Sequence, residues 1–372
     1  MLKTVQVLRA MAALLVVCDH INYIFSRSDP YSRTCFFTFG FFGSIGVDVF
    51  FAISGFIMVS TSWDSFGVPG ISRHFLLRRM ARIYPPYWFV MIPTVLAYVF
   101  ASHHIMRAHS GRADIVSSLL LLPQQNVPLL LVSWTLSFEM FFYFVFALVL
   151  NVRRTLLVPV LLIWLVLEVA LALILKDSTD PYRRFLAMPF PIEFIMGAFI
   201  GRLYRLGKMP KGSAIGLAGL CAAFTLWTFG AAHGLSASAT TTDFTRIILF
   251  GIPAAMILYG VVARDLYRRA SIPSWLVSTG DSSYAIYLWH LPVIAVAGSL
   301  AAFAGARGFW AESAVELTAI FVVVAVSFVE YRFFERPVTA SLNVKIERLP
   351  VLFARKAILW AANVRSDVAG TK

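Results

Sequence analysis

Charge is scarce in this sequence. Only 14% of its 372 residues are Asp, Glu, Lys or Arg, while 59% are hydrophobic. Soluble globular chains carry roughly 25% charged and about 45–50% apolar residues, so this composition cannot cover a water-facing surface. Acidic residues are the rarer sign, 19 against 32 basic ones, for a formal charge of +13. In a soluble chain that excess would suggest nucleic acid. Here the basic residues lie between apolar windows, so topology and anionic lipid explain them and no nucleic-acid partner is expected. Cysteine is nearly missing: Cys18 and Cys221 lie in apolar windows and Cys35 stands alone in a loop, which excludes a disulfide framework. No His or Cys pair has ligand spacing on one helix within a span, so no metal is expected. His103, His104 and His109 share an outer loop and read as solvated. The chain also lacks a Gly-rich phosphate loop, a Gly-x-Ser-x-Gly nucleophile turn and a repeat of 20–50 residues. No signal-peptide cleavage pattern follows the first apolar window, so that window is read as a retained span.

What remains is a succession of windows long enough to cross a bilayer, about 20 mostly apolar residues each. Ten are predicted, near 5–25, 42–62, 84–102, 129–150, 155–175, 186–204, 212–231, 246–263, 283–304 and 313–334. The sixth is interrupted by Pro189, Pro191 and Glu193. With the N-terminus inside, 23 of the 32 Lys and Arg fall on inner segments and nine on outer ones. That asymmetry predicts an all-α polytopic membrane protein with both termini cytoplasmic. Residues 1–337 form the membrane unit and 338–372 a basic tail, in which Leu349–Val364 mixes Arg355 and Lys356 with Phe353, Ile358, Leu359 and Trp360, as in an interfacial helix.

Ionisable side chains within spans are costly and mark candidate sites; the competing reading is a structural contact between helices. Arg9 and His20 are eleven apart, so they share a helix face about 16 Å apart along the axis. Asp48, in Gly43-Ser44-Ile45-Gly46-Val47-Asp48, has the depth of His20 and could orient its imidazole. Arg79 and Arg82 share a helical face and suit phosphate, although juxtamembrane arginines also serve as topology anchors. The next span is predicted to open on Pro85 and Pro86. Glu139 lies mid-span with Tyr143 one turn on. His290 and Glu335 lie in the inner parts of the last two spans, while Glu168, Glu193 and Glu316 read as helix contacts.

Six pieces carry a resemblance. They are Leu8-Arg9-Ala10 with His20 eleven residues after the arginine; Gly46-Val47-Asp48-Val49-Phe50-Phe51 through Ser54-Gly55-Phe56; Arg79-x-x-Arg82-Ile83-Tyr84-Pro85; Ser133-Trp134-Thr135-Leu136-Ser137-Phe138-Glu139; Ser283-Tyr284 through Leu288-Trp289-His290; and Phe334-Glu335-Arg336-Pro337. In this order, from Gln6 to Pro337, the chain resembles the acyltransferase-3 family of bacterial membrane acyltransferases, and within it the exopolysaccharide-modifying branch. The resemblance implies transfer of an acyl group, often acetyl, from cytoplasmic acyl-coenzyme A to a hydroxyl on an extracytoplasmic or lipid-linked sugar, such as an exopolysaccharide repeat unit. The family's Arg-x10-His pair falls on Arg9 and His20, and its Arg-x-x-Arg pair on Arg79 and Arg82. Many members carry a C-terminal hydrolase-like domain. This chain runs only about 35 residues past Pro337, so none is expected, and both half-reactions would occur in the membrane core of the bacterial inner membrane.

On that reading the arginines hold the donor's phosphates. His20 acts as general base or acyl carrier, and the sequence leaves both open. Asp48 or Glu139 stabilises the imidazolium, and His290 and Glu335 shape the donor channel. Two other classes compete. A proton-coupled transporter also uses intramembrane His, Asp and Glu, but the two halves carry no matching broken helices. A structural scaffold would tolerate loss of His20.

Overall fold

The computed structural model describes residues 2–28, 43–100, 114–232, 244–267 and 271–348. The described residues hold helices and turns and no strand. The helices are α1 (Lys3–Ser28), α2 (Ile45–Ser62), α3 (Ile71–Phe100), α4 (Ile115–Leu120), α5 (Ser133–Val149), α6 (Leu157–Ile174) and α7 (Pro181–Ala187). They continue with α8 (Pro191–Arg205), α9 (Gly212–Ala232), α10 (Phe244–Tyr267), α11 (Ser274–Asp281), α12 (Ser283–Phe303) and α13 (Phe309–Arg348). The α10 run contains a π turn at Ile247–Gly251 and α13 another at Tyr331–Glu335.

Eight of these helices are long and apolar enough to cross a membrane: α1, α2, α3, α6, α9, α10, α12 and α13. The pair α7 and α8 passes the same test together, bent by 41° at the break that holds Pro189. Pro191 stands in the first turn of α8, where its missing amide hydrogen costs no helical bond. Helix α5 is apolar but has only 17 residues. Each of the ten predicted windows falls on one of these elements. The predicted interfacial helix at 349–364, Cys35 and the three loop histidines lie outside the described residues.

The third window starts earlier than its hydropathy suggests. Rather than opening at Pro85 and Pro86, α3 is continuous from Ile71 and carries Pro85, Pro86 and Pro93 inside it. Prolines are tolerated within spans where neighbours re-satisfy freed backbone groups. Tyr284 of α12 donates its hydroxyl to the Ile83 carbonyl at 2.9 Å beside the first two of these prolines. Arg79 and Arg82 therefore sit inside the helix.

Helix α2 is the hub, packed on α1, α5, α8 and α10. Glycine makes its closest approach possible: a Cβ on Gly55 would stand 1.9 Å from the Phe194 carbonyl oxygen, and one on Gly197 equally close to that of Ala52. Helices without a side chain at the crossing can touch backbone to backbone. At one end of the bundle Asp64 gathers Arg205 at 2.8 Å and Arg154 at 3.5 Å. Three segments predicted to share the inner side thus meet. Residues such as Ile92, Leu96, Ile163, Val166 and Phe321 stay exposed on the outside of the bundle, as a lipid-facing girdle requires.

Candidate active site

Helices α1, α2, α3, α5 and α12 enclose a cavity whose polar wall holds Arg9, Arg79, Arg82, Glu139, Tyr143 and Tyr284. Arg9 is 7% exposed and its Nε donates to Ser283 Oγ at 3.1 Å. The close seam between α1 and α11 makes this reach possible, because a Cβ on Gly280 would meet the Gln6 carbonyl oxygen at 2.0 Å. Gln6 also donates its side-chain amide to Asp281. Arg79 lies with its guanidinium carbon 5.3 Å from the Phe75 ring centre and 5.5 Å from that of Tyr143. Its Nε is buried without a hydrogen-bond partner.

Tyr143 donates its hydroxyl to Glu139, one turn away as the spacing predicts, and Ser54 Oγ donates to the same carboxylate at 3.5 Å. Glu335, on the π turn of α13, is 4% exposed and lies within electrostatic reach of Arg82 and Arg9. A π turn re-aims side chains within a helix. The wall thus presents three guanidinium groups to one carboxylate, with Glu335 behind it. Such an excess attracts a polyanion, and Arg forks match phosphate oxygens.

The two span histidines form a second cluster. The rings of His20 and His290 meet edge to face, with centroids 4.9 Å apart. His20 Nδ1 lies 2.9 Å from the Val16 carbonyl oxygen, and His290 Nδ1 3.3 Å from that of Ile286. A carbonyl only accepts, so Nδ1 carries the hydrogen in each neutral ring and Nε2 keeps the lone pair. His290 Nε2 is buried without a partner. Tyr287, whose ring lies 5.7 Å from that of His290, also lines the cavity, so the pair stands one layer behind the arginine wall. His290 was expected beside the donor channel; its ring contact is with His20.

Asp48 does not turn to His20. Both its carboxylate oxygens accept from Arg246, at 3.0 Å from Nε and 2.8 Å from Nη2. Arg246 also donates to the Ser44 carbonyl. The pair is buried, with Asp48 0% and Arg246 3% exposed. An aspartate so enclosed is drawn to a bidentate arginine rather than to an imidazole with its own backbone partner. Glu193 adjoins the pair closely enough to feel both charges and is 0% exposed. Arg246 is one of the nine cations that the charge count places on the outer side, and nothing in that count marks it as a partner of Asp48. The available signal was Asp48 itself, because a buried carboxylate calls for a cation. Among the described residues no group of three or more His, Cys, Asp or Glu could hold a metal ion.

The fold and this site define a polytopic membrane enzyme with a cationic cavity beside a histidine pair. The acyltransferase-3 family (Acyl_transf_3, acyltransferase domain) matches residues 2–332, and the chain belongs to that family and is an acyltransferase. The chain is 34% identical over 272 residues to the exopolysaccharide production protein ExoZ of Rhizobium meliloti (strain 1021), covering 69% of this chain and 79% of that one. It is 27% identical to acyltransferase MdmB of Streptomyces mycarofaciens, over 77% of each chain. Identity to peptidoglycan O-acetyltransferase OatA of Listeria monocytogenes serovar 1/2a is 22%, over 89% of this chain but only 54% of that protein. The chain therefore spans about half of OatA's length. No solved structure matches the chain.

Proposed function

We propose that this acyltransferase moves an acyl group, acetyl in the simplest case, from cytoplasmic acyl-coenzyme A to a carbohydrate hydroxyl on the far side of the bacterial inner membrane. The observation that carries the donor assignment is the cavity wall, with three arginines against one carboxylate and the Arg79 Nε unpartnered. The likeness to proteins named for exopolysaccharide production and for O-acetylation supports a sugar acceptor.

In this reading Arg9, Arg79 and Arg82 bind the donor's phosphates, and Glu335 keeps Arg82 and Arg9 oriented between turnovers. The pantetheine arm runs along α1 toward His20, about 16 Å from Arg9 along the axis. His20 Nε2 takes the proton of the acceptor hydroxyl as its oxygen attacks the thioester carbonyl. The C–S bond breaks, and the leaving thiolate recovers that proton from the imidazolium. The same nitrogen can instead attack the thioester first: the C–S bond breaks and the thiolate leaves an acyl-imidazolium, which passes its acyl group to the sugar oxygen while the hydroxyl proton goes to the thiolate. Glu139 balances the cavity's charge through Arg79. Asp48 acts at one remove, by fixing α2 to the first turns of α10. Residues 1–337 are the catalytic unit and the remainder a basic cytoplasmic tail.

The test is His20→Gln, purified and assayed for both donor binding and product. Transfer should fall by about 10²–10⁴-fold with donor binding intact, because removal of a general base acts on the chemical step. Wild-type turnover by the variant overturns the assignment. A burst of acylated protein on mixing with donor alone separates the acyl-imidazole route from direct attack.

A further inference from the structure

A second cavity opens at the other end of α5, away from Asn151. Its wall comes from the loop that follows α4, from the first turns of α5, and from the segment around α7. The polar residues are Gln124, Gln125, Ser137, Thr179 and Arg184, with Trp134 among the aromatic ones. The two cavities share α5 but use different faces. Thr135, Leu136 and Glu139 line the donor cavity, while Trp134, Ser137 and Phe138 line this one. Between them stands an aromatic layer, in which Phe138 packs on Phe51, Phe190 and Phe185 with the last stacked at 4.1 Å.

This wall is held in place. Ser118 Oγ donates to Gln124 Oε1 at 3.3 Å and accepts from the Leu129 amide at 3.2 Å. Tyr87, Tyr84 and Trp88 of α3 donate to the carbonyls of Ser118, Leu120 and Leu119. Asp114 caps α4 by accepting from the Ser117 amide at 3.0 Å, and Asp180 caps α7 by accepting from the Arg183 amide at 2.9 Å. Pro123, Pro128 and Pro181 restrict the backbone further. Trp134 lies against Phe190 at 5.2 Å, so its ring is fixed from behind. With Gln124 Oε1 engaged, the amide nitrogen remains to donate. A fixed indole face flanked by amides, hydroxyls and a guanidinium suits a sugar ring, whose C–H face packs on the aromatic while its rim of hydroxyls takes hydrogen bonds. It suits a free anion less well, because Arg184 is the one cation in this wall.

We infer that the Trp134–Gln124–Gln125–Arg184 cavity is a distal subsite for a carbohydrate chain. It seats one sugar ring of the acceptor chain, while the ring that is acylated carries its hydroxyl to His20. The inference rests on the reading that the acceptor is a carbohydrate. It adds a location and a requirement for length. A chain that spans both positions gains the subsite, whereas a monosaccharide does not.

The experiment uses the full-length protein in detergent with tetrasaccharide-sized fragments of the producing cell's own deacylated surface polysaccharide, against its monosaccharides. Acylation kinetics and direct saccharide binding are measured on the same samples. Trp134→Ala, Gln125→Ala and Arg184→Ala should each raise KM for the tetrasaccharide by about tenfold, the loss of one good contact. They should leave kcat, monosaccharide kinetics and donor binding within about twofold of wild type. Gln125 and Arg184 are exposed, so their variants test the site even if Trp134→Ala misfolds. Equal losses on tetrasaccharide and monosaccharide, or unchanged KM in Gln125→Ala and Arg184→Ala, overturn the subsite. Failure of wild type to acylate or bind any saccharide overturns the carbohydrate reading itself, and saccharide binding that the three substitutions leave untouched overturns only the subsite.

Discussion

The Asp48–Arg246 pair can be weighed against its neighbour Glu193 by a thermodynamic cycle. Removing Arg246 strands Asp48, which is 0% exposed, without its cation. Removing one partner of a buried pair leaves the other charge uncompensated, and that is the costly half of the exchange. Arg246→Met should therefore lower stability by about 3–5 kcal/mol, within the range for broken buried pairs. The opposite substitution is softer. Arg246 cannot shed its charge, but Glu193 adjoins it and can pair with it in place of the missing aspartate. Asp48→Asn alone should cost about 1–2 kcal/mol, and Glu193→Gln alone less. Together they leave an uncompensated buried guanidinium and should cost about 3–5 kcal/mol. The coupling between Asp48 and Glu193 should then exceed about 1 kcal/mol. Detergent-purified protein unfolded by heat and by added dodecyl sulfate gives the four corners of the cycle. Additivity within about 0.5 kcal/mol, or an Arg246→Met deficit below about 1 kcal/mol, would refute the reasoning.

Other consequences follow from the same geometry. Arg79→Ala and Arg82→Ala should each weaken acyl-coenzyme A binding by roughly 10–150-fold, as loss of a charge-assisted phosphate contact does, and Arg→Lys should restore only part of it in a titration of purified protein. Gly197→Val forces side-chain atoms into the Ala52 carbonyl and should destabilise the protein by about 1–3 kcal/mol or more, read as a lower unfolding midpoint. Single cysteines at 151–154 and 206–212 should resist an impermeant reagent in intact cells and one at 121–127 should react; outside labelling of 206–212 would reverse the orientation.

Much of the fold was open to inference because the bilayer imposes a length on every apolar window. The break at Pro189 and Pro191 was visible for the same reason, since proline removes a helical donor whatever surrounds it. The start of α3 was not. Arg73, Arg78, Arg79 and Arg82 look like headgroup anchors by hydropathy, but a cationic cavity lets Arg79 and Arg82 enter the helix bundle. Within a helix, spacing sufficed: Tyr143 meets Glu139 one turn away. Between helices it did not. Shared depth suggested Asp48 for His20, yet depth says nothing of rotation about the helix axis. The true partners, Arg246 for Asp48 and His290 for His20, come from α10 and α12.

Depth and charge alone therefore cannot sort structural from functional polar residues in a membrane bundle, whereas hydrogen-bond satisfaction can. Asp48 and Arg246 answer each other with two hydrogen bonds in a buried setting. A buried pair of that kind is weak evidence for net stability but strong evidence against removing one partner. The cavity arginines are different. Arg79 rests on two rings with its Nε unpartnered, and the wall around it holds a single carboxylate for three cations. His290 likewise keeps a buried Nε2 without a partner next to the His20 ring. Unmet polar capacity in a low-dielectric interior costs free energy in the resting protein. Other buried groups bear that cost as well, Glu330 among them, but Arg79 and His290 bear it where a phosphate-bearing donor and a transferred proton would relieve it.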